Sequence, residues 1–300
     1  PQSTVISTGY SFSELDYNPN EFKGAKSSGG VNPATGLVLY YQLPTIADSV
    51  DLKLDIKNAT GKIVRSFSSK ANSKKTTLSK SKGLNRFVWN LKHETVSSIP
   101  NVFIESSFSG HTAIPGTYTV HLMVGDKEYK TNASLTASPD LTTNVSEHKL
   151  YDSVMSHMEG TVTEMHDMVN ELKNKSGILE DLIKKLKTEE TFKEAKYAGL
   201  LKNAQDLLAS LNNWDEDMIQ RKSTSYDDVE NFPNKFTANY MFLMNQTEND
   251  IFQVNQPSLD LLKTYTAEWE KLKARGLSLK NEQIPALNKQ LWELGMGVIW

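Results

Sequence analysis

The hydrophobic pattern of this chain changes its period near residue 140, and that change limits the folds open to it. Before this point, apolar and polar residues alternate in short runs, as in residues 50–57. After Pro139, apolar residues recur every three or four positions, as from Tyr151 to Leu172. A period of two places apolar side chains on one face of a strand, whereas a period near 3.6 places them on one face of a helix. The sequence therefore predicts a β part followed by an α part.

Residues 31–138 have the pattern of an antiparallel β-sandwich. They are rich in β-branched residues, and turn-forming residues recur about every ten positions, as in sandwiches of about seven strands. Hairpin turns are expected at Gly61 and Gly125, since glycine tolerates the positive φ that such turns require. In residues 83–91, GLNRFVWNL, the alternation predicts that Trp89 lies in the core. We expect an Ig-like antiparallel β-sandwich here.

Residues 139–300 predict an up-down four-helix bundle, because they carry four amphipathic stripes joined by moderate connections. The first stripe covers residues 151–186, with an interruption expected near Gly177. The second covers residues 191–220, and the third follows Pro233. The fourth begins near residue 256, with breaks expected at Gly276 and Pro285 before Leu287, Leu291 and Leu294 complete it. The start at Pro1 without methionine indicates a processed or excised chain. Residues 1–30 end in KSSGG at 26–30, and the resemblance described below implies that they are a connector from an absent upstream domain.

Charge and composition exclude several classes of function. The chain has 33 basic and 36 acidic residues and a net charge of -3, so no overall field favours nucleic acid, and we expect no nucleic-acid partner. It contains no cysteine, which excludes a disulfide scaffold, a thiolate zinc site and a cysteine nucleophile. No apolar run approaches the roughly 18 residues that span a bilayer, so no membrane span is expected.

The motifs that could carry chemistry have simpler explanations, so no catalytic, cofactor-binding or metal-binding residue is predicted. Acidic residues cluster at residues 215–217 and 227–230, next to turns, where helix caps account for them. Methionines and histidines alternate in residues 155–168, and thioether with imidazole suits Cu(I). The methionines fall on the apolar stripe, however, while His157 and His166 project to opposite sides. Core packing is the favoured interpretation.

The connection of residues 92–114 is unusually long and apolar for a sandwich loop. Loops of this length are usually functional or docked on a neighbouring element. We expect it to dock on the helices or on an absent domain. The predicted interaction residues are Pro100, Val102, Phe103, Ile104 and Phe108.

Several short motifs together resemble one bacterial family. They are NPATG at residues 32–36, YQLP at 41–44, GKIVR at 61–65, GLNRFVWNL at 83–91, PGTYTV at 115–120 and DVENFPNKF at 228–236. Over about residues 20–297 the chain resembles the region that follows a sortilin-like, BNR-type β-propeller in bacterial proteins labelled as glycosyl hydrolases, common in Bacteroidota. The resemblance implies an exported, extracytoplasmic protein, whether periplasmic, surface-bound or secreted, whose upstream propeller is a partner. The propeller is not in this sequence, so any hydrolytic site of the propeller is not carried over.

Two further resemblances are more local. The strand motifs are similar to the sandwich-type C-terminal sorting domains of type IX secretion, which we interpret as kinship of fold. Residues 48–50 and 152–154, both Asp-Ser-Val, resemble the O-glycosylation acceptor of exported Bacteroidota proteins.

The function expected from the sequence is that of a non-catalytic scaffold and interaction region that contacts the propeller and another protein chain. One alternative is a carbohydrate-binding accessory module, with a glycan as its partner. Such a module needs exposed coplanar aromatic residues on the sandwich. The second alternative is an enzyme with a site between the two halves, which would need paired titratable residues. The aromatic candidates for the first alternative are Tyr40, Tyr41, Tyr118 and Tyr129.

Overall fold

The computed structural model describes residues 6–8, 34–71 and 76–300. The chain divides into two compact units, each assembled from three segments of the sequence. The first unit comprises Pro1–Thr95, Ser109–Ser153 and Ile251–Gln253. The second comprises Val96–Phe108, Val154–Asp250 and Val254–Trp300. The expected connector, residues 1–30, lies outside the described residues except for residues 6–8.

The first unit contains two antiparallel sheets. One has three strands in the order β1-β2-β5, and the other has four in the order β4-β3-β6-β7. The strands are β1 Ile6–Thr8, β2 Gly36–Leu43, β3 Leu52–Lys57, β4 Ile63–Ser68, β5 Gly83–Trp89, β6 Gly116–Val124 and β7 Lys127–Leu135. The predicted hairpin turns are confirmed, with φ of +83° at Gly61 and +57° at Gly125.

Apolar side chains from both sheets form one hydrophobic core. Leu52, Leu54 and Ile56 of β3 are buried in it, as their alternation predicts. The prediction that Trp89 lies in the core is confirmed, because its side chain is fully buried. Its indole Nε1 donates a hydrogen bond of 2.8 Å to the carbonyl oxygen of Lys92. Thus the end of β5 is held to the first residues of the long connection.

The helices begin with α1, Val145–Thr188, whose first nine residues belong to the first unit. The others are α2 Ala198–Met218, α3 Phe236–Asn249, α4 Gln256–Ser278 and α5 Ile284–Glu293. Short 3-10 turns cover Glu190–Phe192, Ala195–Tyr197 and Tyr226–Glu230. The interruption expected near Gly177 is wrong, since α1 runs through it. The break expected at Gly276 is also wrong, since this residue lies within α4. Near Pro285 the chain continues from α4 into α5 through a π-helical turn, Leu279–Gln283, without a break.

The second unit has a core of methionine, aliphatic and aromatic side chains. Met155, Met158 and Met165 are buried in it, so the core interpretation of the methionine run is confirmed. Of the acidic clusters, Asp215 accepts two hydrogen bonds from Arg221, and Asp228 caps the last 3-10 turn. Within the described residues, no helix combines the length and apolar character needed to cross a membrane.

Candidate functional site

The apolar part of the long connection belongs to the second unit. Val96 and Ile99 are buried there, Pro100 is exposed, and Val102, Phe103, Ile104 and Phe108 are partly buried. Ser106 accepts a hydrogen bond from the side chain of Asn245, and the ring of Phe108 lies 6.0 Å from that of His166. The loop is thus packed on helices of its own unit. A role for these five predicted residues in binding another protein stays a prediction.

The two ends of the same connection pair in the first unit and bring two histidines together. Lys92 and Thr112 form an antiparallel bridge, and the N–H of Ala113 donates to the carbonyl of Leu91 at 2.7 Å. In this register His93 lies directly opposite His111, and the N–H of His93 donates to the carbonyl of His111 at 2.9 Å. Residues directly opposite in an antiparallel pair share a face. The two imidazole rings accordingly lie 3.8 Å apart, centre to centre.

Backbone features of the ladder set this close approach. A Cβ atom on Gly110 would lie 2.3 Å from the carbonyl oxygen of Glu94, so only glycine fits beside the facing chain. On the other side, Nη1 of Arg65 donates to the carbonyl oxygen of His93 at 2.8 Å. The backbone of His93 is therefore held from β4 as well as from the facing segment.

Asp152 of α1 completes the group. Its Oδ1 atom lies 3.1 Å from Nε2 of His111 and 3.8 Å from Nε2 of His93. One donor atom from each of the three residues falls within 4.8 Å of the others. The side chains are 0% exposed for His111, 12% for His93 and 33% for Asp152. We call these three residues the His-His-Asp cluster.

Burial and neighbouring charge set the protonation of the His-His-Asp cluster. Burial, together with the adjacent His111, lowers the pKa of His93 to about 3, although Asp152 opposes the shift. The hydrogen bond from His111 holds the pKa of Asp152 below its usual value, against the opposing effect of burial. At neutral pH His93 is therefore neutral and Asp152 is ionised. Nε2 of His93 is buried and makes no hydrogen bond.

A cleft of about 290 Å³ opens beside His93 and Asp152 in the first unit. Tyr118 lies on its wall, and the hydroxyl of this residue donates to the carbonyl oxygen of Ile114 at 2.8 Å. His148, from the first turn of α1, also lines the cleft, with its Nε2 atom 2.8 Å from the hydroxyl of Thr143. The cleft gives small molecules and solvent a route to the carboxylate of Asp152.

A second and larger concavity, the apolar groove, lies where β2 and β6 end and β7 begins. Its volume is about 850 Å³. Ile46, Leu122 and Val124 are partly buried in its lining, and Tyr129 is 40% exposed. Other residues of the groove are Leu43, Pro44, Val50, Lys82, Asp126 and Lys127. The groove thus combines apolar walls with a charged rim, as docking surfaces do.

The four tyrosines considered for sugar stacking do not form an exposed set. Tyr41 and Tyr118 are buried in the core of the two sheets, Tyr40 is partly buried, and Tyr129 alone of the four is exposed. The hydroxyl of Tyr41 donates to the carbonyl oxygen of Ser79 at 2.8 Å. A stacking platform needs several coplanar exposed rings, which these four residues do not supply.

Comparison with known proteins identifies no relative of this chain: no protein-family description, no curated protein and no solved structure matches it.

Reasoning from sequence missed the His-His-Asp cluster. The sequence patterns indicate no role for His93 or His111, and they place Asp152 only within an Asp-Ser-Val triplet. One signal was available, since His93 and His111 stand near the two ends of the long connection. The register that places them opposite each other depends on the pairing of residues 91–93 with 111–113, which no local pattern indicates.

Proposed function

We propose that this chain is a non-catalytic scaffold and interaction region of a larger exported protein with an upstream β-propeller. In this proposal the two antiparallel sheets form an Ig-like sandwich and the helices form an up-down four-helix bundle. A hydrophobic core shared by residues of both sheets supports the first assignment, and the four amphipathic stripes support the second. The extracytoplasmic location and the propeller rest on the family resemblance.

The apolar groove is the observation that carries the proposal. Proteins rarely leave a large apolar concavity open to water unless something binds there. The groove has apolar walls that can bury a partner's side chains, and Lys82, Asp126 and Lys127 at its rim can form polar contacts. A carbohydrate-binding module is less well supported, because Tyr129 is the one exposed ring among the four candidate tyrosines. The occupant that we propose is the upstream propeller.

The test begins with the coding sequence upstream of Pro1 in the parent gene. We expect it to encode a β-propeller. The propeller and this chain, expressed separately, should bind each other in a calorimetric titration. Val124→Asp and Tyr129→Asp should weaken that binding at least about tenfold, since each puts a charge on the surface that is buried on binding.

Ile63→Asp is the matched control, because Ile63 is an exposed apolar residue of β4 that does not line the groove. It should leave the affinity unchanged. An upstream sequence without a propeller, or equal binding by all three variants, would contradict the proposal. Binding of a polysaccharide that is lost on changing Tyr129 would favour the carbohydrate-binding alternative instead.

A further inference from the structure

We propose that His93, His111 and Asp152 form a binding site for a divalent transition-metal ion, with Zn²⁺ as the ion that suits this donor set best. Two imidazole nitrogens and one carboxylate oxygen are common zinc ligands in proteins, whereas Ca²⁺ and Mg²⁺ prefer all-oxygen sets. The site is separate from the apolar groove, since the groove includes none of the three residues.

The distances between the donor atoms carry the proposal. Zinc lies about 2.0–2.1 Å from nitrogen and oxygen ligands, so two ligands in a tetrahedral set are about 3.3 Å apart. The observed separations from Oδ1 of Asp152 are 3.1 Å to Nε2 of His111 and 3.8 Å to Nε2 of His93. One of these distances is slightly shorter, and the other slightly longer, than the separation of about 3.3 Å expected for two zinc ligands. All three donor atoms lie within 4.8 Å of one another, so small side-chain rotations would bring them onto one ion.

Nε2 of His93 provides a second and independent argument. This atom is buried and has no hydrogen-bond partner, although it faces the carboxylate that His111 contacts. A hydrogen-bonded His-Asp pair would need only His111 and Asp152. It would not explain a second imidazole that presents an unsatisfied nitrogen to the same oxygen atom, because unsatisfied buried polar atoms are unfavourable. A metal ion would satisfy Nε2 of His93. It would also replace the hydrogen bond between His111 and Asp152, and the proton on Nε2 of His111 would be released to solvent as the ion binds.

The surroundings also favour a preorganised site. The antiparallel pairing of residues 91–93 with 111–113 and the contact from Arg65 hold the histidine backbones in place. The ring of Tyr151 packs on that of His111 at 5.7 Å and shields it from water. On the other side, the cleft beside Asp152 leaves room for a fourth ligand, such as water or a carboxylate. Three protein ligands with one open position is the arrangement of zinc sites that bind exchangeable ligands.

The experiment uses the full chain after dialysis against a chelator. Titration with ZnCl₂ in a calorimeter should give one ion per chain, and ZnCl₂ should raise the melting temperature where CaCl₂ at the same concentration does not. His93→Gln and Asp152→Asn should each weaken zinc binding by at least about 100-fold, since even outer contacts of a zinc site are worth 10- to 100-fold. Circular dichroism checks that each variant is folded.

His157→Gln is the matched control, because His157 is an exposed histidine of α1 outside the cluster. It should bind zinc as the original chain does. Cobalt(II) reports on the geometry of the metal site through its visible absorption. We expect an intense visible band with the original chain and with His157→Gln, and its loss with His93→Gln. The proposal would be overturned by the absence of zinc binding. It would equally be overturned by binding that His93→Gln and Asp152→Asn leave unchanged. Neither result affects the proposal that the apolar groove binds a propeller, because that proposal is tested with other residues and a protein partner.

Discussion

At the scale of single residues, His166 shows how one buried polar side chain ties the long connection to the helices. Its side chain is fully buried, and Nδ1 donates a hydrogen bond of 2.5 Å to the carbonyl oxygen of Ser97. Nε2 is buried without a hydrogen-bond partner. Burial lowers the pKa of His166 below its ordinary value, against the opposing effect of the bond to Ser97. The neutral ring is thus the form that the fold accommodates.

From the lowered pKa of His166 we predict that the chain becomes less stable in mild acid. Below the ordinary histidine pKa of about 6.5, the unfolded chain binds a proton at this position that the folded chain does not yet bind. The free energy of unfolding should therefore fall as pH decreases, by at most about 1.4 kcal/mol per pH unit from this group. His166→Gln should remove that part of the dependence. Urea denaturation at pH 7.5 and 5.5 measures it.

The control for this prediction is His157→Gln, which changes an exposed histidine on the same helix. It should retain the full pH dependence. A His166→Gln chain whose stability falls between the two pH values as steeply as that of the original chain would contradict the assignment.

At the scale of elements, the glycines of the helices differ in their surroundings. A Cβ atom on Gly160 or Gly177 of α1 would meet no atom within 4 Å. On Gly276 of α4 it would lie 2.5 Å from Sδ of Met168 and 3.1 Å from the ring of Trp214. The two glycines of α1 thus lower helix propensity with no compensating contact, whereas Gly276 permits close packing.

We therefore predict opposite effects of the same substitution. Gly160→Ala and Gly177→Ala should each stabilise the chain by about 0.5–1 kcal/mol, because alanine reduces the entropy lost on forming a helix. Gly276→Ala should destabilise it by about 1–3 kcal/mol, because the added methyl group overpacks the core. Chemical denaturation of the three variants measures both effects. A stabilising Gly276→Ala would show that α4 can move away from α1 and α2 without cost.

The elements were largely predictable from sequence, because each depends on a local pattern. Alternation in β3 and the stripes of the helices indicate which side chains are buried, and the structure agrees for Trp89 and Met158. The interruption expected at Gly177 was wrong because one glycine costs only about 1 kcal/mol in a helix. Buried neighbours such as Leu172 and Leu179 on the same stripe outweigh that cost.

Local sequence patterns predicted neither the His-His-Asp cluster nor the unbroken path of the chain from α4 into α5. The first depends on the pairing of segments about 20 residues apart and on Asp152, a residue of a separate helix. The path from α4 into α5 depends on the π-helical turn at Leu279–Gln283. Because of this turn, Pro285 lies in the first turn of α5, where a proline is tolerated. Both are set by tertiary packing, which overrides the local signals for a turn or a helix end.

At the scale of the whole molecule, the two units are interleaved along the chain. Val96–Phe108 stands between strands in sequence yet belongs to the helical unit, where Ile99 is buried. Ile99→Ala should therefore destabilise the second unit, by about 2–5 kcal/mol for a buried isoleucine. Hydrogen exchange should become faster in residues 154–188 of α1 before it does so in β3 and β6.

Pro100→Ala is the control for this experiment, since Pro100 is the exposed neighbour of Ile99. It should leave the exchange of both units unchanged. Faster exchange confined to the strands in Ile99→Ala would contradict the assignment of this segment to the second unit.

The interleaving also has a consequence for how the chain is made. A ribosome adds about 5–20 residues per second, so roughly 7–30 s separate the synthesis of Ile99 from the completion of α3. During that interval α1, which bonds to Ser97 and Ser98, and then α3, which bonds to Ser106, are still being made, so the nascent loop is not yet fully packed. Exposed apolar segments of incomplete chains are what chaperones bind and what aggregates nucleate on. From the order of the segments we therefore expect this chain to bind a holding chaperone during translation, whatever the stability of the finished fold.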